Sequence, residues 1–184
     1  MSFERTELAI PGCYEITPPR HVDARGSFVK LFHHDIFAGQ GLETDYREEY
    51  YTVSEQGVIR GLHFQVPPAD HVKLVCCLEG RVLDALVDLR VGSPSYGRHV
   101  LLTLTPEKAN CAYIPAGIAH GFCALSPKTI MLYKVSTVYS PEHDRGILWN
   151  SVGIPWPVEQ PVISQRDADF PPLAQFQSPF SYAP

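Results

Sequence analysis

The residues of this chain best suited to chemistry gather around His63. Arg60 lies three positions before it, Gln65 two after it, Lys73 opens the next apolar stretch, and His120 follows Pro115 and Gly117. Histidine titrates near neutrality and serves as a general base, and a neighbouring lysine can hold the charge of an oxyanion. A single histidine is most often a satisfied structural residue, and the company of His63 is what speaks against that. His63 and Gln65 share a face of any strand they occupy, as do Lys73, Val75 and Cys77. A barrel interior lined by His, Lys, Gln and Tyr is costly to build unless it binds something polar. Tyr133 and Asp167, taken alone, read as a packing residue of a strand and a polar residue of the tail.

The elements that must position these side chains are short strands broken by turns. Residues 58–65 form a strand stopped by Pro67 and Pro68, and residues 72–78 and 82–89 form a hairpin with Gly80 in the turn. Further strands are expected over residues 99–104, 111–114, 122–125 and 130–138, which leaves His120 in the loop before one of them. A short helix is expected over residues 33–38, stopped by Gly39. Beyond Pro155 the chain turns rich in proline and aromatics, and an extended, packed tail with one helical turn is expected to carry Asp167. Trp149 and Trp156 read as packing residues.

Composition agrees with this reading. Seventeen prolines and thirteen glycines in 184 residues favour a single all-β domain, residues 1–184, over a helical bundle. A net charge of −5 argues against nucleic acid as a partner, yet a few arginines and lysines suffice to hold a small anionic ligand. No apolar run approaches the ~20 residues that span a bilayer, and the N-terminus lacks the pattern of a secretory signal. Cys13, Cys76, Cys77, Cys111 and Cys123 form no CxxC pair, so buried thiols in a reducing cytoplasm are expected. Cys76 and Cys77 should point to opposite faces of their strand.

Two segments resemble the paired motifs of the cupin superfamily: residues 61–80, running from Gly-Leu-His to Glu-Gly, and residues 115–122, which match PxGxxH. A metal-binding cupin would place a second histidine where this chain has Gln65, a poor ligand for a transition metal. No metal and no cofactor are therefore expected. Over nearly its whole length the chain resembles the dTDP-4-dehydrorhamnose 3,5-epimerase family. The resemblance is carried by Asp23-Ala24-Arg25-Gly26-Ser27-Phe28, by residues 57–65 with Arg60 and His63, and by Lys73-Leu74-Val75 and Val87-Asp88-Leu89-Arg90. It continues through residues 114–122, Leu132-Tyr133-Lys134, Gly146-Ile147-Leu148-Trp149-Asn150 and Ser164-Gln165-Arg166-Asp167.

That resemblance implies a cupin-type jelly-roll barrel with a few short helices and an extended C-terminal tail. It also implies a homodimer in which an N-terminal strand crosses to the partner, and a small-molecule sugar nucleotide as ligand. It makes His63 the base, Asp167 the carboxylate behind it, Tyr133 the acid on the opposite side of the sugar, and Lys73 the cation beside the C4 oxygen. Arg60, Gln65 and His120 fall among the pocket residues, and Arg25 and Phe28 among the nucleotide contacts. The implied reaction inverts C3 and/or C5 of a nucleotide-linked 4-keto-6-deoxyhexose. The ketone acidifies both neighbouring positions, so proton transfer through an enolate is enough.

The chain departs from the family pattern at two binding positions. Lys30 stands where a glutamate is usual, and Glu48-Glu49-Tyr50 replaces Gln-Asp-Asn, so Lys30, Glu48 and Tyr50 mark a rebuilt specificity region. Alternatives are a 3-only or 5-only epimerase on a dTDP-, CDP- or GDP-linked sugar, a 3,4-ketoisomerase, a metal-dependent cupin enzyme, and a binder without catalysis.

Overall fold

The computed structural model describes residues 2–183. One antiparallel sheet has the order β1 (Glu4–Glu7), β2 (Tyr14–Thr17), β10 (Cys111–Ile114), β7 (Lys73–Glu79), β12 (Lys128–Val135), β5 (Glu48–Glu55). A second runs β13 (Asp144–Gly146), β6 (Ile59–Gln65), β11 (Ile118–Ala124), β8 (Val82–Asp88), β9 (His99–Leu104). Apart from β1–β2 and β8–β9, neighbours in each sheet are not consecutive in the chain, as in a jelly roll, and the two sheets face one another as the walls of a barrel. A hairpin of β3 (Arg20–Asp23) and β4 (Gly26–Val29) stands apart from both. Among the described residues, helical structure is limited to α1 (His34–Gly39), α2 (Gln165–Ala168) and a 3₁₀ turn at Leu173–Gln175.

Three apolar clusters follow from strand alternation. Between the sheets lie Val75, Cys77, Leu86, Leu104, Ile114, Phe122, Met131 and Tyr133. The opposite face of the first sheet sends Leu74 and Cys76 against Phe37 of α1 and Phe3. The opposite face of the second sends Leu62, Phe64, Ala85 and Val87 against Ile147, Phe176 and Phe180 of the tail. Each sheet is thus covered on both sides, which explains why β11 is buried at every position and does not alternate. Cys76 and Cys77 do point to opposite faces, and all five cysteines are free and buried.

The strands expected over residues 99–104 and 111–114 match β9 and β10, but the hairpin expected around Gly80 is corrected: β7 pairs with β10 and β12 and β8 with β11 and β9, so the Gly80 turn carries the chain from one sheet to the other. A second expectation is corrected: β11 begins at Ile118 rather than near residue 122, so His120 lies in a strand and not in a loop. Gly117 and Gly121 mask that strand in the sequence. At Gly121 a Cβ would sit 2.7 Å from the Arg60 carbonyl oxygen, so the glycine there is a requirement of close strand approach and not a turn signal. Strands β1, β3 and β4 are almost wholly exposed and carry no apolar alternation by which to recognise them. The tail forms its helical turn at α2, and Phe176 and Phe180 pack edge-on against Phe64 at 5.1 and 5.8 Å between ring centroids. Trp156 packs on the same cluster and its Nε1–H donates to the Trp149 carbonyl at 3.0 Å.

Candidate active site

A cavity of about 310 Å³ opens between the two sheets. Its second-sheet wall carries Arg60, His63 and Gln65 from β6, and His120 and Phe122 from β11. The facing wall carries Glu48, Tyr50 and Thr52 from β5, Lys73 from β7, and Tyr133 and Val135 from β12. Strict alternation would put Arg60 and His63 on opposite faces of β6. A bulge resolves this: His120 pairs with His63, but Phe122 pairs with Arg60, so three steps on β6 match two on β11. Gly61 sits in the bulge at φ 137°, with no room for a Cβ, which would lie 2.6 Å from the Gly121 Cα.

The bulge also holds the carboxylate behind the histidine. The Gly61 N–H donates to Asp167 Oδ2 at 3.0 Å, while Asp167 Oδ1 accepts from His63 Nε2 at 2.8 Å. Asp167 itself is placed by α2, whose N-cap Ser164 accepts the Asp167 N–H through its Oγ at 3.1 Å. Burial raises the carboxyl pKa, but the His63 hydrogen bond and charge and the Gly61 and Ser164 bonds outweigh it, leaving it below the ordinary value. An ionised carboxylate only accepts, so His63 carries its proton on Nε2 and keeps the Nδ1 lone pair as its basic site. Burial depresses the His63 pKa, with Lys73 and Arg166 adding to the effect and Asp167 opposing it, so the imidazole is neutral at pH 7. Phe170 packs edge-on to His63 at 5.8 Å. Its ring occupies the space above Gly146, where a Cβ would come within 2.3 Å.

Lys73 is buried, its Nζ donates to the His63 carbonyl at 3.2 Å, and burial lowers its pKa to about 8 against the pull of Asp144 and Asp84. Tyr133, 5% exposed, has its phenol pKa pushed up by burial. A second histidine–carboxylate pair lies deeper: His120 Nε2 donates to Asp84 Oδ2 at 2.7 Å, and both residues are buried. At the mouth, Asp144 pairs with Arg166 and accepts from the Tyr139 hydroxyl at 3.3 Å. The buried His71 Nε2 has no hydrogen-bond partner among the described residues although His71 lines the cavity. A buried polar group left open in this way marks a cavity that receives a polar ligand.

The structure therefore gathers His63, Asp167, Tyr133, Lys73, Arg60, His120, Glu48, Tyr50 and Gln65 around one cavity. Gln65 lines the cavity as expected, and its amide is also engaged by loops: Nε2 donates to the Ala69 carbonyl at 2.7 Å and Oε1 accepts from the Ser140 N–H at 2.6 Å. It ties the loops at the cavity rim to β6. Arg25, Phe28 and Lys30 are not brought to the cavity within this chain. Arg25 and Phe28 stand on the β3–β4 hairpin, where the Arg25 side chain is 90% exposed and Phe28 is 59% exposed. The sequence reading missed Asp84, Asp144, Arg166, Thr52, His71 and Tyr139. Asp84 carried a signal, an acidic residue inside an otherwise apolar strand; the others carried none. Among the described residues, no three His, Cys, Asp or Glu side chains converge as a metal site would require.

A jelly-roll barrel with buried titratable groups on two facing walls defines an enzyme of the cupin type. A profile of the family described as dTDP-4-dehydrorhamnose 3,5-epimerase matches residues 7–175. The chain is 38% identical over 170 residues to the dTDP-4-dehydrorhamnose 3,5-epimerase of Shigella flexneri, covering 91% of this chain and 93% of that one. It is 39% identical to a dTDP-4-dehydrorhamnose 3-epimerase of Streptomyces niveus, over 91% of this chain and 83% of that one. Among solved structures, the Legionella pneumophila 3,5-epimerase in complex with dTDP-4-keto-L-rhamnose superposes with a TM-score of 0.93 at 32% identity, covering 98% of this chain and all of that one. The chain belongs to the dTDP-4-dehydrorhamnose 3,5-epimerase family and is a sugar-nucleotide epimerase.

Proposed function

We propose that the chain inverts C3 and C5 of dTDP-4-keto-6-deoxyglucose, with His63 as base and Tyr133 as acid. The observation that carries this reading is that the two stand on facing walls of one cavity, His63 on β6 and Tyr133 on β12. Inversion needs a proton removed from one face of the ring and another delivered to the opposite face. His63 Nδ1 takes the proton from the carbon beside the ketone, and the electron pair moves into the carbonyl to give an enolate. The Lys73 ammonium stabilises the oxygen as charge develops on it. The Tyr133 O–H then protonates the carbon from the other side, and solvent returns a proton to the phenolate as His63 loses one. Asp167 holds the imidazole in the required tautomer and stabilises it when charged.

The nucleotide assignment rests on the family and on the ligands named for its solved members. The homodimer implied by the resemblance gives the exposed β3–β4 hairpin its purpose: Arg25, Phe28 and Lys30 of one copy serve the nucleotide end of the other's cavity. A cytoplasmic location fits five free cysteines, and no described helix is long and apolar enough to cross a membrane.

Incubation in D₂O with dTDP-4-keto-6-deoxyglucose and its CDP and GDP counterparts, followed by NMR at C3 and C5, tests the reading. Exchange at both carbons with the dTDP sugar is expected, and His63→Ala should abolish it while leaving the fold intact. Exchange at one carbon would reduce the activity to a single-centre epimerase. Near-normal turnover in His63→Ala would remove His63 as the base.

A further inference from the structure

We infer that Tyr50 is a positioning residue for the acid: its ring holds the Tyr133 phenol in the orientation that protonates the far face of the sugar. The inference rests on the proposal that Tyr133 is that acid. Tyr50 and Tyr133 are direct cross-strand partners in the β5–β12 pair. Their rings stack with centroids 4.7 Å apart and planes 11° from parallel, an offset arrangement favoured by the ring quadrupoles. On another side, the Tyr133 ring meets the His120 ring edge-on at 6.0 Å, and His120 is anchored by Asp84. The phenol is therefore held between a fixed imidazole and a flat aromatic cover.

The cover comes from an exposed position. Among the described residues of this chain, β5 is the edge of its sheet, with β12 as its one neighbour in it, and Tyr50 is 39% exposed where Tyr133 is 5%. Tyr50 thus stands between the acid and the outer edge of this chain's own sheet. Glu48, Tyr50 and Thr52 alternate onto the cavity face of β5. Without the Tyr50 ring, Tyr133 gains room to rotate and water reaches one of its faces. A displacement of about 1 Å in a reacting group is enough to lower a rate ~10²-fold.

Removal of the proton by His63 does not need Tyr133 in place, whereas inversion does, and this separates a positioning role from a binding one. Wild type, Tyr50→Phe, Tyr50→Ala and Tyr133→Phe are compared in D₂O with dTDP-4-keto-6-deoxyglucose. Deuterium uptake at C3 and C5 is measured alongside formation of the inverted sugar. Tyr50→Phe keeps the stack and should invert within about threefold of wild type, whereas Tyr50→Ala should lose inversion by ~10- to 100-fold and keep deuterium uptake within a few-fold. Equal loss of uptake and inversion in Tyr50→Ala, a rise in KM alone, or a Tyr50→Phe variant as impaired as Tyr50→Ala would each overturn the inference. Normal inversion by Tyr133→Phe would instead overturn the assignment of the acid. Loss of inversion in Tyr133→Phe with wild-type behaviour in Tyr50→Ala would sink the role of Tyr50 alone.

Discussion

His63 and Lys73 set opposite limits on the pH range of activity. His63 must be neutral to act as a base, and its pKa lies below the ordinary histidine value because of burial, so its acid limb lies below the ordinary histidine range of ~6.5. Lys73 must be charged to stabilise the enolate, and burial has brought its pKa to about 8, so activity is lost as pH rises through that value. The expected profile of kcat/KM holds through neutrality and falls above about pH 8. Lys73→Arg should move the alkaline limb upward, because guanidinium keeps its charge to pH ~12. An unmoved limb would show that another group sets it. Lys73→Met should lower kcat by ~10²–10³-fold, as removal of an oxyanion donor does. Asp167→Asn keeps the shape but frees the imidazole to adopt the wrong tautomer, and should cost ~10²–10⁴-fold in kcat. A loss below tenfold would reduce Asp167 to a structural residue of the bulge.

At the scale of elements, the bulge of β6 joins three features of the site. It turns Arg60 and His63 to one face, it frees the Gly61 N–H for Asp167, and it lets β6 and β11 approach at Gly61 and Gly121. Gly61→Ala meets a backbone clash and a φ that L side chains rarely adopt. Strain of this kind costs roughly 1–3 kcal/mol, which for a chain of this size is a drop in Tm of about 2–4 °C per kcal/mol. Activity should fall further than stability does, because His63 and Asp167 both depend on the bulge. An active Gly61→Ala enzyme with an unchanged melting curve would contradict this account. The short α2 depends likewise on its cap: Ser164→Ala removes the acceptor of the Asp167 N–H and costs ~1 kcal/mol. Its effect should appear in kcat more than in KM.

For the whole molecule, the features most in need of explanation are the Arg25 and Phe28 side chains, exposed on a hairpin that hydrogen-bonds to neither sheet of its own barrel. In the proposed dimer that hairpin completes the partner's cavity. Arg25→Ala together with Phe28→Ala should raise KM for the sugar nucleotide at least tenfold with little change in the melting curve, and sedimentation should show weakened association. An unchanged KM would leave the hairpin without a part in the site.

Much was legible in the sequence because it is local. Alternation and turn residues place β7 to β10 and the start of β6, and the order of motifs identifies the family. Histidine, tyrosine and lysine are the residue types that proton transfer beside a ketone requires. Tertiary structure alone decided which side chains meet. Asp167 lies more than a hundred positions from His63, and nothing in the intervening chain announces their contact. The bulge that aligns Arg60 with His63 arises from pairing with β11 and is invisible in a strand read alone. The bonds of the Gln65 amide to the Ala69 and Ser140 backbone come from loops that only folding brings to it. Tyr50 becomes the cover of Tyr133 only because β5 and β12 pair in the register that sets those two rings face to face. Periodicity fixes which face a residue takes, whereas the partner across a sheet is fixed by the packing of the whole barrel.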